Sequence, residues 1–218
     1  MKCECLMDLN TQHSTLNTQH TSTFAIFYIA HPNSTQYCAL KMVLCFLCVK
    51  AELESVASMR IKPGTNLCLS VKNPLNDFET REKVTIDTSE FLEQEENSRE
   101  PAHHFRLKWE GSKKYSTITV LSEAEVKATL KKLKKKKKVE FTGKVDQNDT
   151  FQSIAAFECR GIQPYEFHIL GDEFVVESEG GKIFEEDVDL SEGDWGDYDE
   201  ENDLAVGVND FEAKFLSP

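Results

Sequence analysis

Hydrophobic residues along most of this chain recur every second position, in short runs bounded by turn residues. Residues 43–56 open as a continuous apolar run, Val-Leu-Cys-Phe-Leu-Cys-Val, and then alternate, placing Lys50, Glu52 and Glu54 on one face. That is the pattern of a strand leaving a buried position. Pro63-Gly64 predicts a turn, and residues 66–71 a second short strand. The β-branched run 83–87 is a third. Residues 91–101 are acidic and polar and predict a loop. Residues 105–109 and 116–121 read as the arms of a hairpin, while 151–159 and 174–176 add further strands. A last alternating run ends at Phe215. The fold class expected is mostly β: an antiparallel sandwich or barrel-like body with little helix.

Two stretches break this rhythm. In residues 122–149, Ser122-Glu123-Ala124-Glu125 resembles a helix start, and Val126, Leu130 and Leu133 follow near helical spacing. Lys131-Lys132 and Lys134 to Lys138 then form a dense basic block. It reads as a solvated loop, as a nuclear-localisation or nucleic-acid patch, or as a segment docking on an acidic surface. That acidic surface can be internal, since residues 172–203 are crowded with carboxylates. Such attraction is weak at a surface and screened by salt. The carboxylates lack the regular spacing of a calcium loop.

Residues 1–41 form the other break. Leu9-Asn10-Thr11-Gln12-His13-Ser14-Thr15 is followed by Leu16-Asn17-Thr18-Gln19-His20-Thr21, a polar repeat with one Leu per period, too thin a stripe for a coiled coil. The apolar run 24–30 is far short of the roughly 20 residues of a membrane span, and no cluster of positive charge precedes it. The expectation is a disordered extension, with a single β-rich domain at 42–218 and Met42 as its functional start.

The net charge of −13 argues against nonspecific nucleic-acid binding by the whole molecule, leaving the lysine block as the exception. Seven cysteines, an odd number with no secretory signal, read as reduced thiols of an intracellular protein. No P-loop, dinucleotide-binding glycine pattern, metalloprotease helix or nucleophile elbow is present.

The C-terminal part carries the most specific signal. Phe157-Glu158-Cys159-Arg160-Gly161 is followed by Gln163-Pro164 and Phe167, then Asp194-Trp195-Gly196-Asp197-Tyr198-Asp199-Glu200, then Val206-Gly207-Val208. This combination resembles the closing part of the eukaryotic CXXC-motif-containing zinc-binding protein family, whose biochemical role is poorly defined. The resemblance implies two CXXC pairs on separate hairpins, converging on one tetrahedral metal. The literal Cys45-Phe46-Leu47-Cys48 does not fit that role. Residues three apart on a strand face opposite sides, and core packing is the better reading of both thiols. Residues 113–121 are similar to the family segment just after its second pair, which puts that pair at Trp109 and Ser112. The first pair aligns best with Val71 and Pro74. None of the four is a competent zinc ligand. The expected replacement for the metal is a small apolar plug of Val71, Pro74 and Trp109.

Two other chemistries are open. A shifted zinc site would use Cys68, His103 or His104, and Cys159. A thiol enzyme would use Cys159 with His168 as base and Arg160 lowering the thiol pKa; Arg160 reads better as the partner of a nearby carboxylate. Trp195 and Tyr198 serve either as a binding epitope or, at helical or turn spacing, as anchors of the acidic segment on the sheet. The expectation is a non-enzymatic, metal-free, monomeric protein of the cytoplasm, with the nucleus possible. It would bind a protein partner and no membrane.

Overall fold

The computed structural model describes residues 41–93, 101–132 and 140–217. The expected extension at 1–40, most of the acidic loop at 94–100 and the five lysines 134–138 lie outside the described residues. What is described is the expected antiparallel β body. Its strands are β1 (Met42–Glu54), β2 (Val56–Ile61), β3 (Asn66–Asn73), β4 (Asn76–Asp87), β5 (Phe105–Leu107), β6 (Ser116–Val120), β7 (Gln152–Arg160), β8 (Gln163–His168), β9 (Phe174–Ser178), β10 (Ile183–Phe184), β11 (Trp195–Asp199) and β12 (Leu204–Leu216). One helix, α1 (Glu123–Lys132), interrupts them.

A six-stranded sheet runs β11-β12-β1-β7-β6-β5, flanked by two three-stranded sheets, β10-β9-β2 and β4-β3-β8. β1 is central because its first half is apolar on both faces. Its odd positions Cys45, Leu47, Val49 and Ala51 enter the main core, while Leu44, Phe46 and Cys48 enter a smaller cluster with Val126 of α1. The two cysteines of the literal CXXC therefore lie on opposite faces, both buried, as strand periodicity requires. The single strand read over 43–56 divides at Ser55, whose φ of 51° turns the chain from β1 into β2.

The described parts of the stretch 122–149, residues 122–132 and 140–149, carry a capped helix and bridges to the β body. Ser122 and Glu125 form a reciprocal cap, in which the Glu125 carboxylate accepts the Ser122 N–H at 2.9 Å and the Ser122 hydroxyl accepts the Glu125 N–H at 3.4 Å. Val126 is fully buried, and Leu130 and Phe141 pack on the same cluster. Val145 bridges to Met59 by paired backbone hydrogen bonds of 2.7 and 2.8 Å. Apolar residues in the two described stretches hold those stretches on the β body.

Candidate functional site

The sheet β4-β3-β8 presents one face to the core through Leu67, Leu69, Val71 and Ile86, all fully buried. β3 and β4 are joined by a two-residue turn, Pro74-Leu75, closed by the paired Asn73 and Asn76. Each asparagine side chain caps its own end: Asn73 Oδ1 accepts the Leu75 N–H at 3.0 Å, and Asn76 Oδ1 accepts the Phe78 N–H at 3.3 Å.

A second turn of the same size lies between β5 and β6. Ser112 N–H donates to the Trp109 carbonyl at 3.1 Å across Glu110-Gly111. Gly111 takes φ +68°, which a side-chain-bearing residue rarely adopts. The Ser112 hydroxyl donates to the Lys114 carbonyl at 2.8 Å. Trp109 is only 4% exposed, and its indole N–H donates to the Gly161 carbonyl at 2.7 Å. Gly161 follows β7 directly, so the ring is fixed against the point where the chain passes from β7 to β8.

The two turns meet at Glu79 of β4. Its carboxylate accepts Asn73 Nδ2 at 2.6 Å and the Glu110 N–H at 2.6 Å. The Arg81 guanidinium, two residues on, lies 5.6 Å from the Trp109 ring centroid. The Asn73 amide, the Glu110 amide and Arg81 together hold the Glu79 carboxyl below the usual glutamate range.

The four positions expected to correspond to zinc ligands are thus separated in kind. Val71 is fully buried in the main core, in register with Arg81 and Pro164. Pro74 is exposed at the turn and takes no part in the core, and Val71 and Trp109 belong to the large main core, so the expected small plug of three residues does not form. Strand geometry is the cause, because a residue of β3 and one three positions on in the turn cannot face a common point. Val71, Pro74 and Trp109 carry no suitable donor atom, and Ser112 offers only a hydroxyl, so these residues do not fit a zinc ion.

The substitute donors are not brought together either. Cys68 sits in β3 opposite Thr85 and His168. His103 Nδ1 lies 3.0 Å from the Pro101 carbonyl, and His104 Nδ1 accepts the Val120 N–H at 3.0 Å. Burial holds the His104 imidazole below its ordinary pKa. Among the described residues no three His, Cys, Asp or Glu side chains are grouped to hold a metal ion.

The thiol pair expected of an enzyme is likewise apart. Cys159 is hydrogen-bonded to Cys45, and that bond together with burial raises its pKa well above normal. His168 Nε2 instead lies 2.6 Å from the Ser70 hydroxyl. Arg160 pairs with Glu158 at 2.6 Å, the carboxylate partner expected for it. Trp195 does anchor its segment: its N–H donates to the Asp187 carbonyl at 3.0 Å, and its ring meets Phe184 edge-on at 5.3 Å. It does so from strand β11 rather than from a helix or turn, while Tyr198 stays exposed and bonds Asp203.

Sequence reasoning missed Glu79. No motif marks a glutamate in an alternating strand, and its partners lie 6 and 31 residues away.

Comparison with known proteins agrees with this architecture. A family profile described as CXXC motif containing zinc binding protein, eukaryotic, matches residues 46–216. A UPF0587 protein of Drosophila melanogaster is 45% identical over 71 residues, covering 33% of this chain and 43% of the relative. A CXXC motif containing zinc binding protein of Homo sapiens is 35% identical over 71 residues, covering 33% and 44%. These alignments span less than half the length of the curated relatives. A solved structure described as a hypothetical protein from Plasmodium falciparum superposes with a TM-score of 0.63 at 27% identity, covering 79% of this chain and 99% of that one. With the profile running from β1 to the end of β12, the chain belongs to the eukaryotic family of CXXC motif containing zinc binding proteins.

Proposed function

We propose that this chain is a non-enzymatic member of its family that works without zinc, through binding to another protein. The observation that carries the reading is the donor set at the two turns, where an indole, a hydroxyl and apolar or amide side chains stand and no thiol does. Zinc binding is said of the relatives by their names; here the chemistry for it is missing. The same turn supports a docking role. Leu75 is 88% exposed and Phe78 is 98% exposed, one in the β3–β4 turn and one at the start of β4, so two large apolar side chains stand in water within four positions of sequence. The partner is a protein, the chain itself a monomer, and its setting the cytoplasm or the nucleus. Among the described residues no helix is long and apolar enough to cross a membrane.

Metal content tests the first half of this reading. The purified chain is expected to carry no stoichiometric zinc and to melt at the same temperature with and without a chelator. About one zinc per chain, removable only with loss of fold, would overturn it in favour of a zinc protein with substitute ligands. Capture from the native cell tests the second half, comparing the parent with Leu75→Ser/Phe78→Ser. Both proteins keep residues 122–149, because Val126 and Val145 within them are fully buried. Loss of the same protein band on the double variant is expected; an unchanged set of bands would refute the tip as the docking surface.

A further inference from the structure

The two turns have a common plan that alignment by sequence did not reveal. Each is a two-residue turn, Pro74-Leu75 in one and Glu110-Gly111 in the other. Each is flanked by residues three positions apart: Asn73 and Asn76, Trp109 and Ser112. Three positions apart across a turn is the CXXC spacing, and there, unlike in a strand, both side chains can face one ion. Val71 lies two residues too early to share this arrangement and points into the core.

We infer that the metal-site positions of this chain are Asn73, Asn76, Trp109 and Ser112, and that the Glu79 carboxylate now joins the two turns in place of a metal. The inference rests on the zinc-free reading above and adds where the lost site lay and what replaced it. A metal held by two turns restrains them by bonding to both at once. Glu79 does the same with two charge-assisted hydrogen bonds of 2.6 Å, one to Asn73 in the first turn and one to the Glu110 N–H in the second. Trp109 adds a third tie, buried and bonded to Gly161, with Arg81 of β4 against its ring. A carboxylate flanking both turns would also be a poor companion for a four-thiolate site, whose charge it would oppose. The staple and the metal site are therefore alternatives.

Two measurements separate this inference from the reading it rests on. Amide exchange of the parent and Glu79→Ala reads the staple directly. The Glu110 N–H is expected to exchange about tenfold faster in the variant, with the amides of Val84 and Ile86 unchanged. Unchanged exchange at Glu110 would overturn the staple even if the parent proves zinc-free. Restoration reads the positions. Cysteines placed together at 73, 76, 109 and 112 in a Glu79→Ala background are expected to bind one cobalt ion with thiolate charge-transfer absorption. Cysteines at 71, 74, 109 and 112 in the same background are expected not to. Binding by the second set and not by the first would refute the assignment, as would binding by neither.

Discussion

Replacing Trp109 by Ala gives the sharpest test of the idea that apolar packing has taken over at the second turn. The ring is 4% exposed and belongs to the main core. A buried tryptophan removes about 150–250 Å² from water, or about 4–6 kcal/mol at ~25 cal/mol per Å². Measured truncations of large core aromatics fall at about 3–5 kcal/mol, because the surroundings relax only in part. The expected cost of Trp109→Ala is therefore about 3–5 kcal/mol. Against a typical domain stability of about 5–15 kcal/mol, that leaves a marginal fold. Trp109→Phe keeps most of the apolar area but deprives the Gly161 carbonyl of its donor, and should cost about 1–2 kcal/mol. Pro74→Ala sits at the exposed turn and should change stability by no more than about 1 kcal/mol, through the unfolded chain alone. Urea unfolding followed by tryptophan-independent circular dichroism measures all three, with an unchanged slope as the sign that two-state behaviour survives. A cost below about 1 kcal/mol for Trp109→Ala, or one equal to that of Pro74→Ala, would refute the argument.

Other outcomes follow from the buried polar groups. Cys159 should label no faster than the other thiols with an alkylating probe in the native state, since it is fully buried and its thiol is pushed up by Cys45 and burial; preferential labelling of Cys159 would reopen the thiol-enzyme reading. Burial works against the ionised Asp199 carboxylate, yet hydrogen bonds from Ser178, from the Asn202 side chain and from backbone amides hold its pKa below the ordinary aspartate value. A folded-state pKa below the unfolded one stabilises the fold above the unfolded value and is lost as pH falls through the folded one. Asp199→Asn should therefore flatten the acid side of the melting-temperature profile, and a profile parallel to the parent's would count against it. Glu79 carries the same sign, so the two turns should loosen below the ordinary glutamate range, visible as faster exchange at Glu110.

The strands most legible in the sequence were those whose burial is simple. The continuous apolar start of β1, the β-branched end of β4 and the β5–β6 hairpin are each written locally, in alternation and turn residues. So was the fate of Cys45 and Cys48, since a period of two decides their faces without reference to any other part of the chain. β8 and β11 were harder. Gln163-Pro164-Tyr165-Glu166 does not alternate cleanly, and β8 is a strand because β3 offers it a partner across about 95 residues. The Ser122 cap and the helical spacing after it were likewise local, whereas the docking of Phe141 and Val145 on either side of the β body was not.

By itself, the sequence determined the antiparallel β class and the family signature from Phe157 to Val208. Each of these depends on residue type and short-range period. Only the tertiary structure decided what joins the β3–β4 turn to the β5–β6 turn. Asn73, Glu79 and Glu110 are scattered over 38 positions of sequence, and it is the pairing of β3 with β4 and the placement of the β5–β6 turn beside them that bring one carboxylate within 2.6 Å of both turns. Local patterning sets which way a side chain faces, but what it meets there is set by strands that come from elsewhere in the chain.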